Sequence, residues 1–161
     1  RLHEAGLIYD AHIMTGVAGK GRGMENAEAL AQFLNRTNPA HVVNFSMFLH
    51  KEVPLYQDIR QGTFVPADEL ETIREEYHLI ERIAPEKAGA NILYDGFHDF
   101  IHVRVRGHLP GDKEKMLAKL NGIIQEYEGK EPVYSFVQGE CPDLEYCDDG
   151  KAVWDMDRKT S

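Results

Sequence analysis

The spacing of apolar residues along this chain changes several times, and each change marks an element. The apolar run Ala11-His12-Ile13-Met14, preceded by extended residues from Leu7 to Asp10, predicts a strand. It ends in Thr15-Gly16-Val17-Ala18-Gly19-Lys20-Gly21-Arg22-Gly23, where four glycines favour a turn. From Met24 the period becomes helical. Ala27, Leu30, Ala31 and Leu34 fall at i, i+3, i+4 and i+7, predicting an amphipathic helix from Met24 to Arg36 that Asn38-Pro39 stops. His41 to Phe48 then reads as a buried strand. Strand, turn, helix and strand make a βαβ unit, which predicts two parallel strands joined by a right-handed crossover. Ligands of parallel sheets lie beyond the carboxyl ends of the strands, and here that end is the glycine turn.

The remaining pattern predicts a short helix from Leu55 to Arg60, stopped by Gly62. A longer helix follows, with Asp68 and Glu69 suited to its start. Leu70, Ile73, Tyr77, Ile80 and Ile83 form its buried stripe, which leaves Glu71, Glu75, Glu76 and Glu81 on a solvated face. From Phe100 to Arg106 the alternation is strict, with Ile101, Val103 and Val105 on one side and His102, Arg104 and Arg106 on the other, as in a half-buried strand. A turn at His108-Leu109-Pro110-Gly111 leads to Asp112, an N-cap for a helix with the stripe Met116, Leu117, Leu120, Ile123, Ile124 and Tyr127. Beyond Gly129 the chain is acidic and turn-rich, with Val133 to Val137 as one short strand.

Composition narrows the class. A formal charge of −9 over 161 residues excludes nonspecific nucleic-acid binding through bulk charge. Two cysteines, Cys141 and Cys147, make no disulfide framework, so the expected compartment is the reducing cytoplasm. No apolar run is long enough to span a bilayer, and no membrane partner is expected. The opening Arg1 to Leu7 reads as the last turn of a helix entering a strand, which predicts a piece of a larger protein.

Candidate chemistry is sparse. Gly16, Gly19, Gly21 and Gly23 would let backbone approach a nucleotide, with Lys20 or Arg22 facing an anion, but the spacing matches neither a P-loop nor a dinucleotide fingerprint. His98, Asp99 and His102 form the most metal-like group, with both histidines on one face if the strand is continuous. The Arg104 and Arg106 face suits a carboxylate or phosphate. Cys141 and Cys147 lack the second pair that a cluster or zinc site needs. Tyr9, Tyr56 and Tyr77 read as packing or rim residues. No Ser/His/Asp or Cys/His arrangement follows from the spacing, so no catalytic residue is assigned.

Taken in order, these pieces resemble the C-terminal part of radical SAM proteins of the coproporphyrinogen-oxidase-like Fe–S oxidoreductase group. The likeness rests on Ala5-Gly6-Leu7 before a strand, the Ile13 to Gly19 strand and turn, Glu25-Asn26-Ala27 opening a helix, and Leu34-Asn35-Arg36-Thr37-Asn38-Pro39. It continues through Pro54-Leu55-Tyr56, Gly62-Thr63-Phe64 and the run from Gly107 to Leu117. Glu52-Val53 stands where relatives often carry Gly-Thr, and Lys20 and Arg22 add charge to the turn.

The resemblance implies an α/β fold: the C-terminal portion of a partial β/α barrel, about two parallel strands (the fifth and sixth) with flanking helices, plus an extension with a strand and a helix. Residues 1–86 would belong to the barrel, 87–128 to the extension and 129–161 to an acidic tail. It also implies an intact oxidoreductase that cleaves S-adenosylmethionine reductively at a [4Fe–4S] cluster held by a C-x3-C-x2-C motif, which this sequence lacks. Gly16, Gly19, Phe48 and Leu49 would shape the adenosine side of the pocket, and this piece alone would be inactive. The partners implied are a small-molecule substrate and a reducing protein, and an open sheet edge predicts self-association of the isolated piece. Two other readings stay open from the residues: an α/β binding module for an anionic metabolite, using the glycine turn with Arg104 and Arg106, and a small metal-dependent hydrolase built on His98, Asp99 and His102.

Overall fold

The computed structural model describes residues 5–50, 52–98 and 101–135. In chain order the elements are β1 (Asp10–Thr15), α1 (Gly23–Thr37), β2 (His41–Ser46), α2 (Pro54–Gln61), α3 (Glu69–Arg82), β3 (Ile92–His98), β4 (Val103–Leu109) and α4 (Lys113–Tyr127). The fold is α/β, with one mixed sheet in the order β1-β2-β3-β4. β1 runs parallel to β2 and β2 parallel to β3, while β4 returns antiparallel along β3.

Several helix boundaries have a local cause. Asn38 takes the left-handed conformation after α1, its N–H donating to the Leu34 carbonyl, and Pro39 blocks continuation. Pro54 opens α2, and Gly62 closes it with φ +73°. Asp68 caps α3 by accepting from the Glu71 N–H at 2.8 Å.

The core lies between one face of the sheet and the layer of α1, α3 and α4. Ala11, Val42, Ile92, Tyr94, Val105 and Leu109 from the strands meet Ala27, Leu34, Ile73, Leu79, Ile80, Met116 and Leu120 from the helices. Strand period explains this: every second residue faces the helices. A smaller cluster of Leu49, Tyr56 and Ile59 lies beside the exit of β2. Among the described residues no helix covers the other face, where Phe45 and Phe97 stay partly exposed and His12, Arg104 and Arg106 exposed.

Four stretches differ from expectation. The sequence pattern assigns no element to the stretch that forms β3, in which Asp95 and Gly96 lie in mid-strand, paired with Arg106 and Val105. β4 starts at Val103, since Ile101 and His102 lie in a turn and His102 has φ +54°, while Phe100, where the strand was expected to begin, lies outside the described residues. β2 likewise stops at Ser46. Val133 to Ser135 form no strand, and the rest of that expected segment lies outside the described residues.

Candidate functional site

The carboxyl ends of β1, β2 and β3 meet the N-terminal half of α3, and this junction is unusually polar. Glu69, Thr72, Glu75 and Glu76 of α3 are all buried, as are Asn44 and Ser46 of β2 and His98 of β3. This corrects the solvated face expected for Glu75 and Glu76. Helical period alone cannot separate a polar stripe facing water from one facing buried polar partners.

His98 stands at the centre, with its Nδ1 3.2 Å from Glu69 Oε2 and its Nε2 3.0 Å from Glu76 Oε2. Burial pulls its pKa down, but the hydrogen bonds to Glu69 and Glu76 outweigh this and push it up to about 9. A carboxyl group against each ring nitrogen favours the charged imidazolium. Glu76 also accepts from Tyr94 Oη at 2.8 Å and from Asn44 Nδ2 at 3.1 Å. Ser46 Oγ donates to Glu69 at 3.3 Å. The two carboxyl groups approach opposite nitrogens of one ring, so the three side chains do not converge on a single ion. Among the described residues no group of three His, Cys, Asp or Glu side chains is arranged to hold a metal.

The metal-like trio expected from sequence does not assemble as a strand face. His98 is fully buried within β3, and His102 is exposed on the hairpin turn. The turn breaks the two-residue alternation that would have aligned them. Asp99 lies outside the described residues, as do Cys141 and Cys147.

The glycine turn is a socket for the protein's own groups. Gly16 N–H donates to Glu75 Oε2 at 3.0 Å, Gly21 N–H donates to Glu71, and Lys20 N–H donates to the Val65 carbonyl at 2.8 Å. Gly19 N–H closes a tight turn on Gly16 O at 3.0 Å. A side chain at Gly16, whose φ is +86°, would come within 2.9 Å of Thr72 Cγ2. Glu75 also accepts from Asn26 Nδ2 of α1. Burial raises its pKa to about 7, against the lowering effect of the Asn26 and Gly16 hydrogen bonds.

The other expected residues separate. Phe48 is 53% exposed just past β2. Leu49 turns inward to the small cluster, and its N–H donates to the Ser135 carbonyl at 2.6 Å. Tyr56 is buried in the same cluster. Arg104 and Arg106 share the uncovered sheet face, as alternation predicts, and both address Asp95. Arg104 grips it through Nε at 2.8 Å and Nη2 at 2.6 Å, while Arg106 Nε lies 3.6 Å away. Asp95 is held below the usual carboxylate range, chiefly by the Arg104 hydrogen bonds.

Across that face runs a row of rings that the sequence pattern does not reveal, because it needs the register of three strands. His12 and Phe45 lie 6.4 Å apart, Phe45 stacks on Phe97 at 5.6 Å, and the Arg104 guanidinium lies 4.7 Å above Phe97. Comparison of the chain with protein-family models, with curated proteins and with solved structures gives no match.

Proposed function

We propose that this chain is the C-terminal portion of a radical SAM oxidoreductase-like enzyme, in which β1, β2 and β3 form the closing part of a partial β/α barrel. One observation carries the reading: three parallel strands, with β4 antiparallel at their edge, that among the described residues are covered by helices on one face only, with an aromatic row and an Arg104–Asp95 pair on the other. Parallel strands are almost always buried on both faces. An uncovered face with stacked rings therefore calls for more protein or a ligand against it, as the interior of a barrel provides.

In this reading His12, Phe45, Phe97 and Arg104 line the interior and offer flat apolar surfaces ending in a cation. Such a surface suits a planar substrate that stacks on the rings. Phe48, exposed past the end of β2, offers a face to the nucleoside. Gly16 and Gly19 serve by shape, since their N–H groups are committed to Glu75 and to Gly16 O. S-adenosylmethionine, when bound, supplies the radical chemistry. The described residues contain no cysteine, so the cysteine ligands of a [4Fe–4S] cluster are not among them. Among the described residues no helix is long and apolar enough to cross a membrane.

The test uses the natural polypeptide that contains this sequence, purified without oxygen and reconstituted with iron and sulfide. Reduction in the presence of S-adenosylmethionine should yield 5′-deoxyadenosine and an electron paramagnetic resonance signal from the cluster. A natural chain without C-x3-C-x2-C, or one that forms no 5′-deoxyadenosine, overturns the proposal.

A further inference from the structure

We propose that the cleft between β4 and α4 is a binding site for a small oxyanion-bearing molecule, carrying phosphate or clustered carboxylates. The inference does not depend on the radical-enzyme reading. The cleft, of about 430 Å³, is lined by Arg104 and Arg106 of β4 and by Lys115 and Lys119, one turn apart on α4, over a floor of Val105 and Met116. Four basic residues thus line one cleft in a chain whose net charge is −9. The carboxylate that addresses both arginines is Asp95, which holds the Arg104 fork in place and leaves the positive charge in excess. Because Asp95 takes Nε and Nη2 of Arg104, it is Arg106, with Nε 3.6 Å from that carboxylate, whose guanidinium suits the paired oxygens of phosphate or carboxylate.

The backbone here argues for a compact ligand over an added strand. Lys119 Nζ donates to the Arg104 carbonyl. His108 N–H donates to Asp112 Oδ2 at 2.7 Å, and the Asp112 N–H donates to the His108 carbonyl at 2.7 Å. Strand period turns Arg104, Arg106 and His108 to the same outer side of β4. With groups at both ends of that row taken by α4 and its lead-in, the edge is shut to another strand. What is left is a short basic cleft with Arg106 in the middle.

Isothermal titration of the chain with sodium pyrophosphate and, separately, with citrate tests the site, at low and at physiological ionic strength. The expected result is saturable binding at both salt levels by at least one of them. It should weaken roughly tenfold or more in Arg106→Gln and in Lys115→Gln, as loss of one charged hydrogen bond implies. Both residues are exposed, so the fold should survive, and circular dichroism checks this. Lys20→Gln, which removes a cation at the glycine turn, should leave binding unchanged. Preference for pyrophosphate identifies a phosphate site, and preference for citrate a carboxylate site. Binding by neither, binding only at low salt, or equal weakening by Lys20→Gln overturns the proposal.

Discussion

Gly96 of β3 lies directly under the carboxyl group of Glu76 on α3: a Cβ built on Gly96 would sit 1.8 Å from Glu76 Oε1 and 3.1 Å from the Tyr94 ring. The missing side chain makes room for the buried carboxyl group that His98, Tyr94 and Asn44 all address. Glycine weakens a strand, and in mid-strand it marks a place where another group must come close.

Gly96→Ala should therefore displace Glu76 and break its hydrogen bonds. The expected loss is about 2 to 4 kcal/mol of unfolding free energy, from overpacking together with buried polar groups left unpaired. Urea denaturation measures it, and a loss under about 0.5 kcal/mol, the scale of an ordinary surface change, would count against the close fit.

Stability should fall as pH rises. His98 has a folded pKa of about 9 against an ordinary 6.5, so its stabilising contribution is complete below about pH 6.5 and is lost as pH climbs through 9. Glu75 is raised from 4.5 to about 7, so the native state holds a proton that the unfolded chain releases, and stability falls between those values as well. Each group should give a slope of up to about 1 kcal/mol per pH unit within its window. Denaturant midpoints across the range check this. His98→Gln should flatten the upper window and Glu75→Gln the lower; a wild-type curve that rises toward pH 9 would contradict the His98 assignment, and one that rises between about 4.5 and 7 that of Glu75.

The glycine turn offers a comparison within one loop. Gly16 and Gly21 have similar positive φ, +86° and +77°, but Gly16 faces Thr72 at 2.9 Å while Gly21 faces open space. Gly21→Ala should cost only the left-handed backbone penalty, about 1 kcal/mol. Gly16→Ala should cost about 1 to 3 kcal/mol more, because the added methyl also collides with α3. Equal losses in thermal or urea unfolding would mean that the turn is not seated against the helix.

The uncovered sheet face and the β1 edge predict self-association of this chain in isolation. Phe45 and Phe97 form an apolar row, and Ile8, 86% exposed, and Leu7, 54% exposed, precede β1. Sedimentation velocity should show concentration-dependent assembly that Phe45→Lys, or Ile8→Lys, reduces without loss of helical circular dichroism. Wild-type chain that stays monomeric across the accessible concentrations would refute this.

The sequence by itself determined the helices, β1, β2 and the parallel βαβ core, because those depend on local period and on turn residues such as Asn38-Pro39, Pro54 and Gly62. It also placed Arg104 and Arg106 on one face, since strict alternation leaves a strand no other choice. Only the tertiary structure decided that Asp95-Gly96 is mid-strand, that Glu69, Glu75 and Glu76 point inward, and that His98 parts company with His102. The reason is physical. A glycine in a strand or a glutamate on a helix is ambiguous until its neighbour across space is known, and here that neighbour is Glu76 for Gly96 and His98 for Glu76.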